Sequence, residues 1–223
     1  MTVWICGVVV RNAPLRWRGT GAQGGDVRTG SRESWQIGQD LDYALALVLF
    51  VRDVTGLRAR LRLPQDVAPL EPAVALDLRD VHDGVDDATV EELQRWWTMA
   101  LEQPAALPLL PNLPGWDGMD ALPDARDLAE RLQFDFWQWL RPAEEHELEQ
   151  ARSDGLHLTH FVNGLETELR RPVRPFRLRI RVIPVGGTTG WILDDNQVLV
   201  TPGLRDDATA LTWFLRPVVS ALA

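Results

Sequence analysis

Four residues in one acidic stretch are of the types that bind divalent metal ions. Asp77, Asp80, His82 and Asp83 lie at or just after the end of Ala73–Leu78, a short apolar segment that predicts a strand. Carboxylates at the end of a strand can hold a metal that activates water for hydrolysis. The same residues also suit a solvated loop that leads into a helix. Both interpretations stay open, and the first makes a divalent metal ion the alternative to having no cofactor.

Arginine alternates with apolar residues in two segments, which is the period of a half-buried strand. The segments fall in the predicted strands Leu57–Leu63 and Phe176–Val185. If both strands lie in one sheet with their apolar sides on the core, the opposite face carries Arg58, Arg60, Arg62, Arg177, Arg179 and Arg181. Such a face is solvated, paired with carboxylates or bound by an anionic ligand, so it is the predicted anion-binding site.

Tryptophan is abundant, with ten residues in the chain. On a helix, adjacent residues point about 100° apart, so one member of a close pair faces the core and the other needs a second surface. Two such pairs and an apolar proline-rich segment predict a protein-interaction surface. Its residues are Trp96, Trp97, Leu113, Trp116, Trp137 and Trp139.

The segments that must position these side chains show either the alternation of a strand or the spacing of a helix. Alternation predicts strands at Thr2–Val10, Leu57–Leu63, Ala73–Leu78, Phe176–Val185 and Trp191–Val200. Helical spacing predicts helices over Gln39–Asp53, Thr89–Gln103, Asp124–Leu140, Pro142–Arg152 and Leu156–Arg170, and one after Asp207 that Pro217 kinks or restarts. A buried strand over Tyr43–Val51 is the alternative to the first helix. We predict an α+β fold with a mixed or largely antiparallel sheet, helices packed on one face and a small helical layer in the second half.

Composition divides the chain into two halves. Residues 1–103 form a predicted N-terminal α/β half with a mobile glycine-rich loop at 16–34. Residues 104–123 form a proline-rich apolar linker. Residues 124–223 are predicted to contain a helical segment, a β-hairpin and a C-terminal helix.

Acidic residues are concentrated in the middle of the chain. The stretch 64–154 holds 21 acidic residues and six arginines, whereas the rest holds 11 acidic residues and 17 arginines. Stretches of opposite charge can neutralise each other within one fold, and the net charge of −9 argues against nucleic acid as a partner. Every basic residue is arginine, which indicates a GC-rich bacterial genome.

The sequence also bears on location. The longest apolar run, Tyr43 to Val51, is too short to span a bilayer. The first residues lack the basic-then-apolar order of a signal peptide. The lone cysteine, Cys6, excludes an internal disulfide bond. We therefore expect a cytoplasmic protein with no membrane partner.

We favour a non-enzymatic protein-interaction or assembly subunit of a bacterial complex. The tryptophan surplus, the apolar linker and the uneven charge support this hypothesis. Two alternatives remain: a metal-dependent hydrolase of phosphate esters, and a module that binds a nucleotide or another small anion. The nucleotide- or anion-binding module would use the glycine-rich loop. Residues 19–24 of that loop have the glycine spacing of a dinucleotide site, but they lack the strand before it and the helix after it.

Overall fold

A computed structural model of the chain describes residues 10–11, 35–61, 63, 67–74, 85–102, 109–110, 113–114, 119–153 and 157–222. The strands are β1 (Val10–Arg11), β2 (Gln36–Leu41), β3 (Leu109–Leu110), β4 (Leu113–Pro114), β5 (Arg177–Val182), β6 (Gly190–Asp194) and β7 (Gln197–Val200). The helices are α1 (Tyr43–Val54), α2 (Asp87–Glu102), α3 (Pro123–Ser153), α4 (His157–Leu169), α5 (Pro202–Arg205) and α6 (Ala208–Leu222), with a 3-10 helix at Leu57–Ala59.

Five strands form one mixed sheet in the order β1-β2-β5-β7-β6. The central strands β2, β5 and β7 are parallel, and the edge strands β1 and β6 are each antiparallel to their neighbour. This arrangement confirms the α+β class and the mixed sheet. Because β2 and β5 come from the two halves that composition separates, both halves contribute to the same sheet.

The two faces of β5 differ in chemistry. Ile180 lies opposite Val198 and Val182 lies opposite Val200, and all four side chains are buried on the apolar face. The alternate residues of β5 are arginines, as predicted. Strand β5 therefore has one apolar side in the core and one side that carries charge.

The first helix begins later than predicted. Gln36–Leu41 is strand β2, and the Asp42 carboxylate accepts the Leu45 amide at 3.0 Å as the N-cap of α1. The predicted helix over Gln39–Asp53 is thus wrong in its first turn, and the alternative strand over Tyr43–Val51 is wrong. Helix α1 packs against α2 and α3 and is buried along almost its whole length, which explains its nearly continuous apolar sequence.

The predicted strand over Leu57–Leu63 is also wrong. Gly56 has φ of 63°, and the 3-10 helix follows it directly. Leu57 and Leu61 are both buried, and the Leu61 amide donates to the Leu57 carbonyl at 2.7 Å. Their spacing of four is that of a helical turn, so the alternation of arginine in this short segment does not reflect a sheet.

The predicted strand over Trp191–Val200 is a hairpin, β6 and β7, rather than one strand. The Asp194 carboxylate accepts the Asn196 amide at 2.8 Å, which turns the chain between the two strands. Strand β7 consequently pairs with β5 in parallel, and not as the antiparallel return expected from the sequence.

Two prolines lie inside continuous helices. Helix α3 runs through Pro142, so the two helices predicted for this region are one. Helix α6 runs through Pro217 in the same way. Each proline removes one backbone hydrogen bond without ending its helix.

Several predicted elements lie wholly or partly outside the described residues. Of the predicted strand Thr2–Val10, only Val10 is described, in the short strand β1. Ala73 and Val74 are not in a strand, and the rest of Ala73–Leu78 lies outside the described residues. The glycine-rich loop 16–34 lies outside them too. Within the segment 104–123, the described part includes the antiparallel pair β3 and β4.

Candidate interaction surface

The adjacent tryptophans of α2 are both buried. Trp96 is 1% exposed and Trp97 is fully buried. Helix α2 packs against both α1 and α3, and its Glu92 accepts the Ala125 amide of α3 at 3.0 Å. The two tryptophans thus face two surfaces that are both inside the protein, and both side chains belong to the core.

The tryptophans of α3 join an aromatic cluster that holds α3 against α1. Trp137 packs on Tyr43 with ring centroids 5.6 Å apart, and Trp139 packs on Phe50 at 5.4 Å. The Trp139 indole also donates to the Pro72 carbonyl at 2.8 Å. Both tryptophans are half-buried, and each already has partners within the chain.

Burial and the adjacent Glu144 also affect the tyrosine of this cluster. Desolvation raises the pKa of Tyr43 above its usual range, and a hydrogen bond with Glu144 raises it further. The phenol therefore stays protonated and acts as a donor to α3. Of the other two residues predicted for an interaction surface, Trp116 and the Leu113 side chain lie outside the described residues.

The six predicted anion-binding arginines do not share one face. Arg58 pairs with Asp53 at 2.9 Å and Arg60 with Asp87 at 2.6 Å, both far from β5 in sequence. Arg62 lies outside the described residues. Since Leu57–Leu63 is not a strand, the described arginines of this set that lie on the sheet are the three of β5.

Two arginines of β5 are paired within the fold. Arg179 binds Asp40 on the adjacent strand β2, with Nη2 2.5 Å from Oδ2, and this hydrogen bond raises the pKa of the guanidinium. Arg181 is fully buried and donates through Nε to Asp42 at 2.6 Å. Its two Nη atoms donate to the Leu101 and Ala100 carbonyls at the end of α2. Arg181 thus neutralises a carboxylate and satisfies a helix C-terminus.

The predicted metal ligands Asp77, Asp80, His82 and Asp83 lie outside the described residues. Among the residues that are described, no group of three or more His, Cys, Asp or Glu side chains is arranged to hold a metal ion. The described segments also contain no helix that combines the length and apolarity a membrane crossing needs.

Large apolar side chains are exposed at a different place, on α6 and the edge strand β6. Trp213 is 67% exposed and Ile192 is 51% exposed. Trp213, Pro217 and Ala221 recur every four residues of α6, so they lie along one side of the helix. We call Ile192, Trp213, Pro217 and Ala221 the α6 surface.

A groove of about 370 Å³ opens between α6 and the β6–β7 turn. Its walls include Ile192 and the helix residues Pro217 and Ala221 of the α6 surface. Trp213 lies one turn before Pro217, about 6 Å along the helix axis. The groove and the tryptophan therefore form a continuous apolar strip.

Two carboxylates form one wall of the groove. Asp194 and Asp195 line it, and neither is paired with a cation in the described part of the chain. Strand β6 shifts register between Ile192 and Asp194, and Gly190 is buried. Such an irregularity in an edge strand disfavours pairing with a further strand, so side chains rather than a backbone edge define this site.

Helix α6 is packed on the core through Leu211, Phe214, Leu215 and Val218, which are buried. Arg216 makes a two-point ion pair with Glu168 of α4, at 2.6 and 3.1 Å, which lowers the pKa of Glu168 and raises that of Arg216. At the start of α6, the Asp207 carboxylate accepts the Thr209 and Ala210 amides. A partner would thus meet a surface that is already in place, which lowers the entropic cost of binding.

The sequence contained a signal for Trp213. Leu211, Phe214, Leu215 and Val218 fall on the predicted apolar side of this helix and are buried. Trp213 falls off that side, which already marks it as exposed. Ile192 had no such signal, because its exposure depends on β6 being an edge strand.

Comparison with protein-family models, with curated proteins and with solved structures finds no match for this chain. What the chain can do must therefore be argued from its own residues. Among the described side chains, the α6 surface combines exposed apolar groups with a groove that two aspartates also line, which are the features of a binding surface.

Proposed function

We propose that this chain is a non-enzymatic protein-interaction subunit that binds a partner protein through the α6 surface. The observation that carries the proposal is the pairing of two exposed apolar side chains, Trp213 and Ile192, with the groove of about 370 Å³ beside them. Tryptophan is enriched among residues that dominate binding energy, and an exposed one next to a groove is an anchor for a partner. On sequence grounds, the subunit belongs to the bacterial cytoplasm.

The charge of the groove selects the chemistry of the partner. Asp194 and Asp195 line the groove, and its other lining residues are apolar. A partner segment with an apolar anchor next to lysine or arginine would place a cation at these carboxylates and an apolar group against Ile192. An acidic segment would be repelled there.

The test compares matched variants of the full chain. Wild type, Trp213→Ser, Ile192→Asp and Phe134→Ser are each immobilised and exposed to a lysate of the source organism. Phe134 on α3 is 72% exposed, so its variant controls for the loss of any exposed aromatic group. Proteins retained by wild type and Phe134→Ser but lost by the other two are identified, produced separately and titrated calorimetrically.

The proposal expects a purified partner that binds wild type and Phe134→Ser equally. Trp213→Ser or Ile192→Asp should weaken that binding by about 30-fold, as expected for the loss of a central contact. Equal weakening by Phe134→Ser would contradict the assignment of the surface. A concentration-dependent dimer of wild type that Trp213→Ser dissociates would show that the surface binds a second copy, which also overturns the proposed partner.

A further inference from the structure

Three arginines between the end of α4 and the start of β5 have exposed side chains and no partner among the described residues. They are Arg170, Arg174 and Arg177, which we call the arginine rim. In the described part of the chain, none of the three side chains makes a hydrogen bond or ion pair. Arg171 lies between them but donates to the Pro172 carbonyl at 3.3 Å, so it is not part of the rim.

The two carboxylates in the last turns of α4 are engaged by groups other than the rim. Glu166 accepts the Val173 amide at 3.0 Å, and Glu168 is held by Arg216 of α6. Both acids of the last turns of α4 are thus engaged elsewhere. Among the described residues the rim is therefore an unpaired group of positive charges, in a protein whose net charge is −9.

Arg170 has an unfavourable backbone conformation for an arginine. Its φ is 53°, in the left-handed region that favours glycine. The Arg170 amide donates to the Thr167 carbonyl and the Arg171 amide to the Glu166 carbonyl, each at 3.3 Å, in the pattern of a Schellman helix end. Glycine is the usual residue at this position. An arginine that strains the backbone and makes no contact within the fold indicates a role outside it.

The segment that follows Arg170 contains two prolines, which limits its backbone hydrogen-bond donors. Pro172 and Pro175 have no amide hydrogen and fix their own φ angles, and each disfavours helix in the residue before it. The chain between α4 and β5, residues 170–176, forms neither helix nor strand. Its donors available to a ligand are mainly the guanidinium groups of Arg174 and Arg177.

We propose that the arginine rim binds a carboxylate-rich segment of a protein partner. Guanidinium groups bind carboxylates through two parallel hydrogen bonds, and three exposed ones within eight residues of the chain suit a series of Asp or Glu side chains. The net charge of −9 disfavours a long polyanion such as nucleic acid, which the rest of the surface would repel. This inference does not depend on the α6 surface, so either can fail alone.

The probe for the test is a fluorescein-labelled hexaglutamate peptide, with hexaglutamine as the neutral reference. Binding to the full chain is measured by fluorescence polarisation at about 0.05 M and about 0.5 M salt, where screening separates charge pairing from other contacts. The variants are Arg170→Gly, Arg174→Ala and Arg177→Ala. Arg141→Ala, at an exposed arginine of α3, is the matched control.

Each rim variant should weaken hexaglutamate binding by about two- to fivefold at low salt, as expected for one exposed charge pair, whereas Arg141→Ala should not. Arg170→Gly should also raise Tm by about 2–4 °C, because glycine relieves the left-handed strain. The favourable effect of Arg170 on the helix dipole opposes this gain but is smaller and is screened at high salt. A residue kept for stability would not give this combination of a more stable protein and weaker binding.

Three outcomes would overturn the proposal. The first is no hexaglutamate binding, or equal loss in the rim and control variants. The second is a lower Tm for Arg170→Gly, which would give the arginine a structural role. The third is tighter binding of a single-stranded oligonucleotide of the same charge, which would show that the rim recognises phosphate.

Discussion

The two ends of β5 use the same residue type in opposite ways. At the carboxyl end, Arg181 is fully buried and bound to Asp42 and to two carbonyls of α2. At the amino end, Arg177 is exposed and has no partner among the described residues. One alternating pattern therefore places a buried, hydrogen-bonded arginine at one end of the strand and an exposed arginine with no described partner at the other. The neighbours of each arginine decide its role, and periodicity alone does not.

The strongest test of this contrast is Arg181→Met. The substitution leaves the Asp42 carboxylate buried without its cation and removes the donors to the Ala100 and Leu101 carbonyls. Removing one partner of a buried pair costs about 3–5 kcal/mol in the free energy of unfolding. Urea unfolding followed by circular dichroism measures the loss. A loss below about 1 kcal/mol would mean that water replaces the guanidinium and that Arg181 does not stabilise the fold at the carboxyl end of β5.

A double-mutant cycle with Asp42→Asn separates the ion pair from the helix cap. The asparagine oxygen can still accept the Leu45 amide, so the cap of α1 is kept. We expect the second substitution to cost less in the Arg181→Met background than in wild type, because the carboxylate has already lost its cation. Strictly additive losses would show that the two side chains do not act together.

The second prediction extends the contrast to another buried carboxylate. Asp53 accepts from Arg52 at 2.6 Å, from Arg58 at 2.9 Å and from the Leu70 amide at 2.9 Å. Asp53→Asn removes the negative charge but leaves these donors in place. The expected loss is about 2 kcal/mol at neutral pH, because hydrogen bonds that involve charged groups are the stronger ones.

The pH dependence of stability reports on the same group. Burial opposes ionisation, but the hydrogen bonds from Arg52 and Arg58 outweigh it and lower the pKa of Asp53. The ionised Asp53 carboxylate therefore contributes fully to the free energy of unfolding above its unfolded-state pKa of about 3.9. This contribution is lost as the pH falls through the folded-state pKa. Urea unfolding between about pH 7 and about pH 2 should show a smaller acid loss for Asp53→Asn than for wild type. Parallel curves would rule Asp53 out as a source of acid lability.

The middle of β5 should show an intermediate effect. Arg179 pairs with Asp40, but both side chains remain about two-fifths exposed. Exposed ion pairs contribute about 0.2–1 kcal/mol, and salt screens them. Arg179→Ala should therefore cost less than 1 kcal/mol, and the difference should shrink at about 0.5 M salt. A larger loss that salt does not reduce would place Arg179 with the buried arginines.

Local sequence patterns predicted individual helices and strands but not the pairing of strands that are distant in the sequence. Alternation identified β5, although the predicted strand ran three residues past its end, and helical spacing identified α4 to within one residue at each end and the start of α6. The predicted strand over Leu57–Leu63 failed because a segment of seven residues satisfies both periods by chance, and Gly56 starts a turn instead. The parallel pairing of β2 with β5 joins residues about 140 apart, so no local pattern could reveal it.

The candidate surface was harder to predict than the fold. Counting tryptophans favoured Trp96, Trp97, Trp137 and Trp139, yet all four contribute to the packing of α1, α2 and α3. A residue type shows capacity for contact but does not show whether the contact lies within the chain. Trp213 differs because its position off the apolar side of α6 is a geometric signal. Exposure at Ile192 required the strand order, which only the structure provides.

The smallest expected change in stability, at Arg177, tests the contrast from its other end. Arg177→Ala removes an exposed side chain that has no partner in the described residues, so the free energy of unfolding should stay within about 0.5 kcal/mol of wild type. Urea unfolding under the conditions used for Arg181→Met gives the direct comparison. If Arg177→Ala instead costs more than about 1 kcal/mol, the arginine supports the sheet, and the amino end of β5 is structural like the carboxyl end. A neutral result combined with weaker binding of the acidic peptide would mean that Arg177 serves a partner and not the fold.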